Sequence, residues 1–537
     1  MKLKIYFLIT IVLISFSFRF YKLSQYPVHL SMDEAAIVYN AYSILRTGKD
    51  EWNKKFPLAF KSAGDYKAPV NVYLTVPIVK IFGLNEFSAR FVSAFLGSLT
   101  PIILFFLLLE LGFTLIPSFL TSLWLALLPW HIHFSRASFE AITGLFFAYI
   151  GLLFFYKWLN QKSKYFLPLF ISSFSLAVWS YHAERLFIPL LSVFLIIFNH
   201  KKIKSLLAKT PKIIIFITII LFLLFSIPFV KLTFFSPAIT TRAAATSILK
   251  EPALLLSLHQ NYLSTKEYIF DNNLLKIFKF WLNKYLEYFD PRFIFWKGMQ
   301  FTPPNYPDTG ILFIIDLLVV ILGAYKLFIS KNKNLNKLFI YLFLLGPLAA
   351  SLTMNHQHPL RALTWIPAFS ILMASGFSHI KNKPKIKKFS LVFLFIYLIN
   401  ILYFLNIYVY LFPHFQSEYW QYGYKEVGQY ICANRQEYDQ IMVTDTFGSQ
   451  GPLNTGLPYL YILLACKMPP EDFQISRKTY NITYHRVDWK YDQYKKNMLI
   501  VASPWDILGD NIPSKNILKE IYFRNNKKAF ILIKTDD

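Results

Sequence analysis

Long apolar segments recur along the whole chain and are separated by short polar loops. A helix needs roughly 20 apolar residues to cross about 30 Å of hydrocarbon, because each residue adds about 1.5 Å. This pattern predicts a mainly α fold, a polytopic membrane bundle of about eleven helices. The approximate limits are 4–23, 89–111, 114–132, 137–158, 165–181, 185–199, 212–231, 310–329, 337–353, 361–378 and 389–412.

Lysine is concentrated in four of the short loops. Together these loops carry seventeen lysines and no acidic residue, at 157–164, 199–212, 326–337 and 379–388. Such loops stay on the cytoplasmic side. We therefore expect a multi-pass protein of the cell membrane with a cytoplasmic N-terminus, held by an uncleaved signal-anchor. The segments then expected outside the membrane are 24–88, 131–136, 182–184, 232–309, 354–360 and everything after 412.

Two of these external segments are long. Within 24–88, a helix is predicted to begin at the acidic pair at positions 33 and 34, since acidic side chains favour a first helical turn. Residues 68–83 are apolar but interrupted by Pro69 and Pro77, which predicts an interfacial segment instead of a span. The aromatic, proline-rich end of 232–309 predicts a substrate-covering loop on the membrane surface.

The composition changes after residue 412. Residues 413–537 carry 15 basic and 14 acidic residues, the balance of a soluble domain. Runs at 440–445, 497–503 and 527–534 read as strands, and runs at 425–435 and 456–466 read as helices. We predict a transmembrane domain over 1–412 and a small α/β extracytoplasmic domain over 413–537. Cys432 and Cys466 fall in the predicted helices, and we expect buried free thiols in preference to a disulfide.

The net charge of +26 would indicate nucleic-acid binding in a soluble protein. With 55% hydrophobic and only 16% charged residues, however, the chain cannot cover a soluble surface. The lysine-rich loops explain most of the excess charge as a topology signal. We therefore expect membrane lipid, and no nucleic acid, as a partner.

Arginine is distributed differently from lysine. Residues 1–412 contain eight arginines, all in external segments or at the external ends of predicted spans. The planar guanidinium binds phosphate and carboxylate through paired hydrogen bonds. The distribution indicates anion chemistry on the outer face, although chance enrichment of external loops is the alternative. These residues are Arg19, Arg46, Arg90, Arg136, Arg185, Arg242, Arg292 and Arg361.

Other ionisable side chains gather at the same external ends. Each group has a plain alternative: an acidic helix start, a solvated turn or an ion pair. Candidates for proton abstraction are Asp33, Glu34 and Glu140. Candidates for holding a phosphate are Lys67, Arg136, Arg185 and Arg361. Further candidates for substrate contact are Asp65, Tyr66, His133, His182, Glu184 and His358.

Histidines at positions i and i+2, such as His131 and His133, could ligate a divalent metal. Nothing in the pattern requires one. We therefore name no metal ligands and no certain cofactor, and a divalent metal stays an alternative.

Several ordered motifs resemble those of the GT-C glycosyltransferases. They are the acidic pair after the first span, the Asp65-x-Lys67-x-Pro69 motif, LNEFSARFVSAFLG at 84–97 and RASFE at 136–140. The chain is most similar to the protein O-mannosyltransferases and the bacterial lipid A aminoarabinose transferases, glycosyltransferase families 39 and 83. The similarity is strongest over residues 25–190.

This resemblance implies transfer of a sugar from a lipid-linked sugar phosphate, a polyprenyl-phosphate donor, to an extracytoplasmic acceptor with inversion. It implies that Asp33 is the catalytic base, that Lys67 contacts the donor phosphate, and that Glu140 is a second acid. The acceptor, a protein, lipid or glycan, stays open. The alternatives are a transporter or flippase of lipid-linked saccharides, and a structural protein that binds through residues 413–537.

Overall fold

A computed structural model describes residues 2–62, 65–236, 241, 244–258, 272–297, 309–354, 356–381, 390–448 and 456–536. Arg242 and part of the predicted substrate-covering loop lie outside the described residues. Helices dominate up to residue 416, and a five-stranded sheet follows.

The helices are numbered in chain order. Helices α1 to α10 are Lys2–Phe20, Met32–Thr47, Pro69–Phe82, Glu86–Glu110, Leu115–Leu127, Pro129–Arg136, Glu140–Leu159, Phe166–Ser180, Glu184–Lys209 and Lys212–Phe235. Helices α11 to α18 are Pro252–Leu258, Asn273–Glu287, Asp316–Phe328, Lys333–Leu345, Leu348–Ser351, Ile366–Lys381, Ser390–Asn406 and Phe412–Gln416. Helices α19 to α22 are Tyr424–Asn434, Pro458–Ala465, Pro470–Ser476 and Trp489–Asp492.

Seven helices within the described ranges are long and apolar enough to cross a membrane, or eight if α5 and α6 form one span across their 51° bend. This confirms a mainly α membrane protein, although with fewer such helices than the predicted eleven. The seven are Lys2–Phe20, Glu86–Glu110, Glu140–Leu159, Glu184–Lys209, Lys212–Phe235, Leu363–Lys381 and Leu391–Gln416.

Three predicted spans are shorter helices, namely α8 with 15 residues and α13 and α14 with 13 each. Helix α13 begins only at Asp316, whose Oδ2 accepts the Phe313 backbone N–H at 3.0 Å and the Trp124 indole N–H at 2.9 Å. Helix α14 ends at Leu345, with Gly346 as its C-cap and Pro347 directly after it. A count of apolar residues cannot detect such helix ends, because they depend on a buried hydrogen bond or a following proline.

A buried arginine explains the bend between α5 and α6. Pro129 has no N–H to continue α5, so the last carbonyls of that helix need other donors. Arg19 is fully buried and donates to the carbonyl oxygens of Ala126 at 3.0 Å and Leu125 at 3.5 Å. It also contacts Nδ1 of His131, in α6, at 2.6 Å. The Arg19 guanidinium thus contacts both helices, the last carbonyls of α5 and the ring of His131 in α6.

The apolar segment predicted to lie at the interface forms the continuous helix α3. Pro69 fits its first turn, where no helical N–H is needed, and Pro77 lies inside it. Val72 is buried against the rest of the protein, whereas Ile81 and Phe82 are exposed. The helix therefore has both a packed side and an outward apolar side.

The C-terminal region is built around a sheet with the strand order β4-β3-β5-β7-β6. Strand β3 is parallel to β4 and β5, and β7 is antiparallel to β5 and β6. All three predicted strands and both predicted helices are present, while β4 and β6 were not predicted. The strands are Gln440–Val443 (β3), Ile482–Tyr484 (β4), Met498–Ala502 (β5), Ile517–Tyr522 (β6) and Lys528–Lys534 (β7). A separate hairpin pairs Phe60–Ser62 (β1) with Asp65–Lys67 (β2).

The two cysteines form a disulfide, so the expectation of free thiols was wrong. Cys432 of α19 and Cys466 at the end of α20 have Cα atoms 5.4 Å apart. The helical pattern correctly placed each cysteine on its helix, but it could not show that the two helices lie side by side. Tertiary packing decides whether two thiols come within bonding distance.

One hydrophobic core joins the first external segment to the C-terminal region. Buried side chains of α2, such as Ala35 and Val38, belong to the same cluster as Tyr461, Phe473 and Leu532. The division into domains at residue 412 stays a prediction. Wherever the domain boundary lies, the first external segment and the C-terminal region share one hydrophobic core.

We expect the Cys432→Ser/Cys466→Ser double variant to unfold more easily than the wild type. The bond closes a loop across 34 positions, for which chain entropy gives about 2–4 kcal/mol. Thermal unfolding in detergent, with and without reductant, measures the difference. Reductant should lower the wild-type midpoint and leave the double variant unchanged. Equal midpoints for both proteins without reductant would contradict the expectation.

Candidate functional site

An ion pair between Asp33 and Lys67 lies at the first turn of α2. Ser31 and Glu34 form a capping box that starts this helix and places Asp33 in its first turn. Lys67 reaches the same point because it ends the β1–β2 hairpin. The Lys67 side chain is 5% exposed and that of Asp33 is 45% exposed. The pair thus has a buried cation and a carboxylate that is open to solvent.

Glu34, the neighbour of Asp33, is fully buried, and both of its carboxylate oxygens accept hydrogen bonds. Oε1 accepts from Arg90 Nε at 2.9 Å and from the Ser138 N–H at 3.1 Å. Oε2 accepts from the Ser31 N–H at 2.8 Å. The predicted pair of acids therefore divides into one exposed carboxylate and one internal anchor.

Arg90 extends this anchor to the preceding segment. Its terminal nitrogens donate to the carbonyl oxygens of Leu23 and Pro27, each at 2.9 Å, and of His29 at 2.6 Å. Burial lowers the pKa of His29 to about 4, so this ring is neutral at pH 7 and adds no second charge beside Arg90. Arg90 was not predicted as a site residue, because its partner Glu34 lies 56 positions earlier.

Glu140 joins the same cluster from the first residue of α7. Its Oε1 accepts the backbone N–H of Ala68, the residue after Lys67, at 2.9 Å. Asn71 strengthens this junction by donating to Ser138 Oγ and accepting from Thr143 Oγ1, both at 3.2 Å. The structure therefore brings together Asp33, Lys67 and Glu140, the three residues with roles implied by the family resemblance.

The contacts of Arg136 differ from those expected of a phosphate ligand. One terminal nitrogen donates to the Phe18 carbonyl at 2.7 Å, and the other donates to Tyr21 at 2.7 Å and Tyr26 at 3.2 Å. Its guanidinium also lies over the ring of Tyr408. The terminal donors of Arg136 thus fix the segment that follows α1.

Arg185 and Arg361 line a second feature, a cavity of about 730 Å³. Arg185 contacts Nδ1 of His182 at 2.7 Å, and Arg361 donates to Thr353 Oγ1 at 2.7 Å. Much of the remaining wall is apolar, including Leu274, Ile277, Phe278 and Trp281. Neither Asp33 nor Lys67 is among the residues that line this wall.

Glu184 connects the two features. It begins α9 and packs on Gly144 of α7, where an added Cβ would lie 2.8 Å from the Glu184 Cγ. Gly144 lies one turn along α7 from Glu140, and Arg185 of the cavity follows Glu184 directly. Glycine at position 144 allows α9 to approach this closely, so the residue before Arg185 packs on the helix that carries Glu140.

The other predicted contact residues are dispersed. Asp65 and Tyr66 lie half-buried on β2, where Asp65 Oδ1 accepts the Tyr66 N–H at 2.7 Å. His133 lies among the rings of Tyr408, Phe412 and Trp420.

His358 donates its backbone N–H to the Tyr288 hydroxyl at 3.1 Å. Among the described side chains, no group of three or more His, Cys, Asp or Glu residues is arranged to hold a metal ion.

Comparison with known proteins finds one matching family model and several similar folds. Residues 9–241 match the family model described as dolichyl-phosphate-mannose-protein mannosyltransferase. The fold is similar to ArnT from Cupriavidus metallidurans in the apo state, with 12% identity, 98% of this chain and 97% of that chain covered, and a TM-score of 0.52. No curated protein matches the chain.

The fold is also similar to the oligosaccharyltransferase AglB from Archaeoglobus fulgidus, with 13% identity, 93% of this chain and 69% of that chain covered, and a TM-score of 0.51. At these identities the likeness shows the fold. The family match covers residues 9–241, which is less than half of the chain. The family match and the fold agree with the resemblance to the GT-C glycosyltransferases that was drawn from the motifs.

We expect Glu34→Gln to destabilise the protein strongly. The change leaves the Arg90 charge buried without its counter-ion, and breaking a buried pair in this way costs about 3–5 kcal/mol. The control is Glu471→Gln, whose pair with Arg46 is half-exposed, and such pairs contribute about 0–1 kcal/mol. Thermal unfolding in one detergent compares the variants, and equal losses would contradict the anchor role.

Proposed function

We propose that Asp33 is the base of an inverting glycosyl transfer at the outer face of the membrane, and that Lys67 stabilises the departing phosphate. The observation that carries this proposal is the Asp33–Lys67 ion pair beside Glu140. In this pair, a carboxylate that can accept a proton contacts a cation that can bind phosphate. The Glu140 carboxylate lies beside them, because it accepts the backbone N–H of Ala68, the residue after Lys67.

The reaction is a single displacement. The acceptor oxygen bonds to the anomeric carbon, the bond from that carbon to the phosphate oxygen breaks, and polyprenyl phosphate leaves with the bonding electrons. The acceptor proton passes to the Asp33 carboxylate. Positive charge builds on the sugar ring in the transition state, and negative charge builds on the phosphate beside Lys67. Stabilising such developing charge is often the largest catalytic contribution.

The roles of the other candidates follow from their contacts. Glu140 lies at the junction of the hairpin and α7, where it accepts the N–H of the residue after Lys67, so we assign it to acceptor or sugar hydroxyls. Glu34 and Arg136 are assigned to positioning, because their polar atoms bind the protein itself. This assignment replaces the expectation that Glu34 is a candidate for proton abstraction and that Arg136 binds phosphate.

We assign the donor lipid to the cavity lined by Arg185 and Arg361. Its apolar wall suits a polyprenyl chain, and two guanidinium groups at its polar side suit a phosphate. The AglB structure contains a dolichol-phosphate, a ligand of the same chemical class. The contact of Glu184 with Gly144 supports this assignment, because Glu184 directly precedes Arg185 of the cavity and Gly144 lies on the helix that carries Glu140.

We also propose that the N-terminus is cytoplasmic, that the C-terminal region is extracytoplasmic, and that the protein resides in the cell membrane. The lysine-rich loops support this orientation. The Cys432–Cys466 disulfide supports it independently, because such bonds persist in oxidising compartments outside the cytoplasm.

Asp33→Asn should abolish transfer while the protein stays folded. The side chain keeps its size but loses its ability to take a proton, and loss of general base catalysis typically costs about 10²–10⁴-fold. The assay incubates purified protein with a panel of labelled polyprenyl-phosphate sugars and membrane extract, and identifies the labelled product. Asp510→Asn, an exposed acid of the C-terminal region, is the matched control.

Retained transfer in a folded Asp33→Asn protein would remove Asp33 from the base role. If the wild type moved lipid-linked saccharide across a membrane without forming a glycosidic bond, the transporter alternative would replace the enzyme.

Arg185→Gln/Arg361→Gln should weaken binding of undecaprenyl phosphate by about 10²–10⁴-fold, since hydrogen bonds to charged groups contribute about 1.5–3 kcal/mol each. Binding of undecaprenol, which lacks the phosphate, should not change. Arg292→Gln is the control, because Arg292 is exposed and pairs with Asp290. Unchanged phosphate affinity in the double variant would move the phosphate site away from this cavity.

A further inference from the structure

The C-terminal region covers the outer side of α2, the helix that carries Asp33. Ala35 and Val38 on this helix are fully buried and share one apolar cluster with Tyr461 of α20 and Phe473 of α21. The position of α2 is therefore determined partly by side chains that come more than 400 positions later in the chain.

A hydrogen bond from Tyr461 fixes the beginning of α2. Its hydroxyl donates to the Leu30 carbonyl at 3.0 Å, and Leu30 directly precedes Ser31, the N-cap of the helix. Burial raises the pKa of Tyr461 far above its ordinary value, with smaller contributions from Tyr424, Glu34 and Asp33. The phenol thus stays protonated as a donor and lies within electrostatic reach of Asp33.

A second clamp holds the far end of α2. Gln474 of α21 points its amide nitrogen at Ser43 Oγ, Thr47 Oγ1 and the Asp50 carbonyl, at 2.9, 3.0 and 2.9 Å. Between the two clamps, the Tyr39 hydroxyl donates to the Met468 carbonyl at 3.3 Å. Both ends and the middle of α2 are thus tied to the C-terminal region.

Helix α20, which carries Tyr461, is itself held in place by α19. The disulfide joins the end of α20 to α19, and Gly428 of α19 lies so close to α20 that an added Cβ would be 2.6 Å from the Ala465 Cβ. Helix α20 therefore cannot shift along α19 without breaking close packing and a covalent bond. It forms a fixed support for the Leu30 carbonyl.

We propose that the C-terminal region is a positioning element of the transferase site, in which the hydroxyl of Tyr461 fixes the first turn of α2 and so sets Asp33 against Lys67. Tyr461 is a positioning residue, since it acts through Leu30 and contacts no reacting atom. The inference rests on the proposed role of Asp33 and gives residues 413–537 a part in catalysis in place of a separate binding function.

Tyr461→Phe tests the proposal because it removes the hydroxyl and keeps the ring. We expect amide hydrogen exchange in residues 30–36 to become about 5–10-fold faster. We also expect kcat to fall about 5–10-fold with KM for the polyprenyl-phosphate sugar unchanged. Tyr459→Phe is the matched control, because Tyr459 lies on the same helix and its ring stacks on Phe473.

Gln474→Ala separates positioning of Asp33 from general loosening of α2. It should speed exchange in residues 43–50 and leave exchange in 30–36 and kcat close to wild type. The proposal is overturned if Tyr461→Phe matches Tyr459→Phe in both exchange and kcat, or if its whole effect lies in KM. Exchange is measured without substrate, so it still tests the Tyr461 contact if the wild type shows no transfer and the proposed function itself fails.

Discussion

The buried ion pair between Glu34 and Arg90 is the interaction on which the rest of the outer face depends. Both side chains are completely excluded from solvent, and desolvating two charges is costly unless other hydrogen bonds satisfy them. Here the carboxylate also accepts from the backbone N–H groups of Ser31 and Ser138, and the guanidinium also donates to three carbonyl oxygens. Because so many partners must meet at one point, the pair allows one arrangement of α2, α4 and the start of α7.

That arrangement leaves Asp33 as the exposed member of the acidic pair. One helical position separates an anchor from a reactive group, since the side chains of successive residues point about 100° apart around the helix. Glu34 points inward to Arg90, and Asp33 pairs with the buried Lys67 while its own side chain stays partly exposed. Of the two neighbouring carboxylates, Glu34 thus stabilises the fold and Asp33 has the proposed chemical role.

The arginines of the first 412 residues illustrate a related constraint. Their external placement suggested phosphate binding, but Arg19, Arg90 and Arg136 use their donors on backbone carbonyls near helix ends and breaks. Carbonyls that leave a helix inside an apolar environment must find donors, and a guanidinium supplies five from one side chain. Arg185 and Arg361 differ because they line a cavity, which is why the donor phosphate is assigned to them and to Lys67.

The sequence by itself determined the membrane class, the mainly α fold, and three strands and two helices of the C-terminal sheet region. It also singled out Asp33, Lys67 and Glu140, whose roles stay a proposal. Hydrophobic runs, strand and helix periodicity and ordered local motifs are carried by neighbouring residues, so they can be read directly from the chain. Only the tertiary structure decided that Glu34 is an anchor, that Cys432 and Cys466 are joined, that three apolar runs form short helices, and that Tyr461 supports α2. Each of these depends on contacts between residues far apart in the chain, such as the 431 positions that separate Tyr461 from Leu30, and no local pattern encodes which distant groups become neighbours.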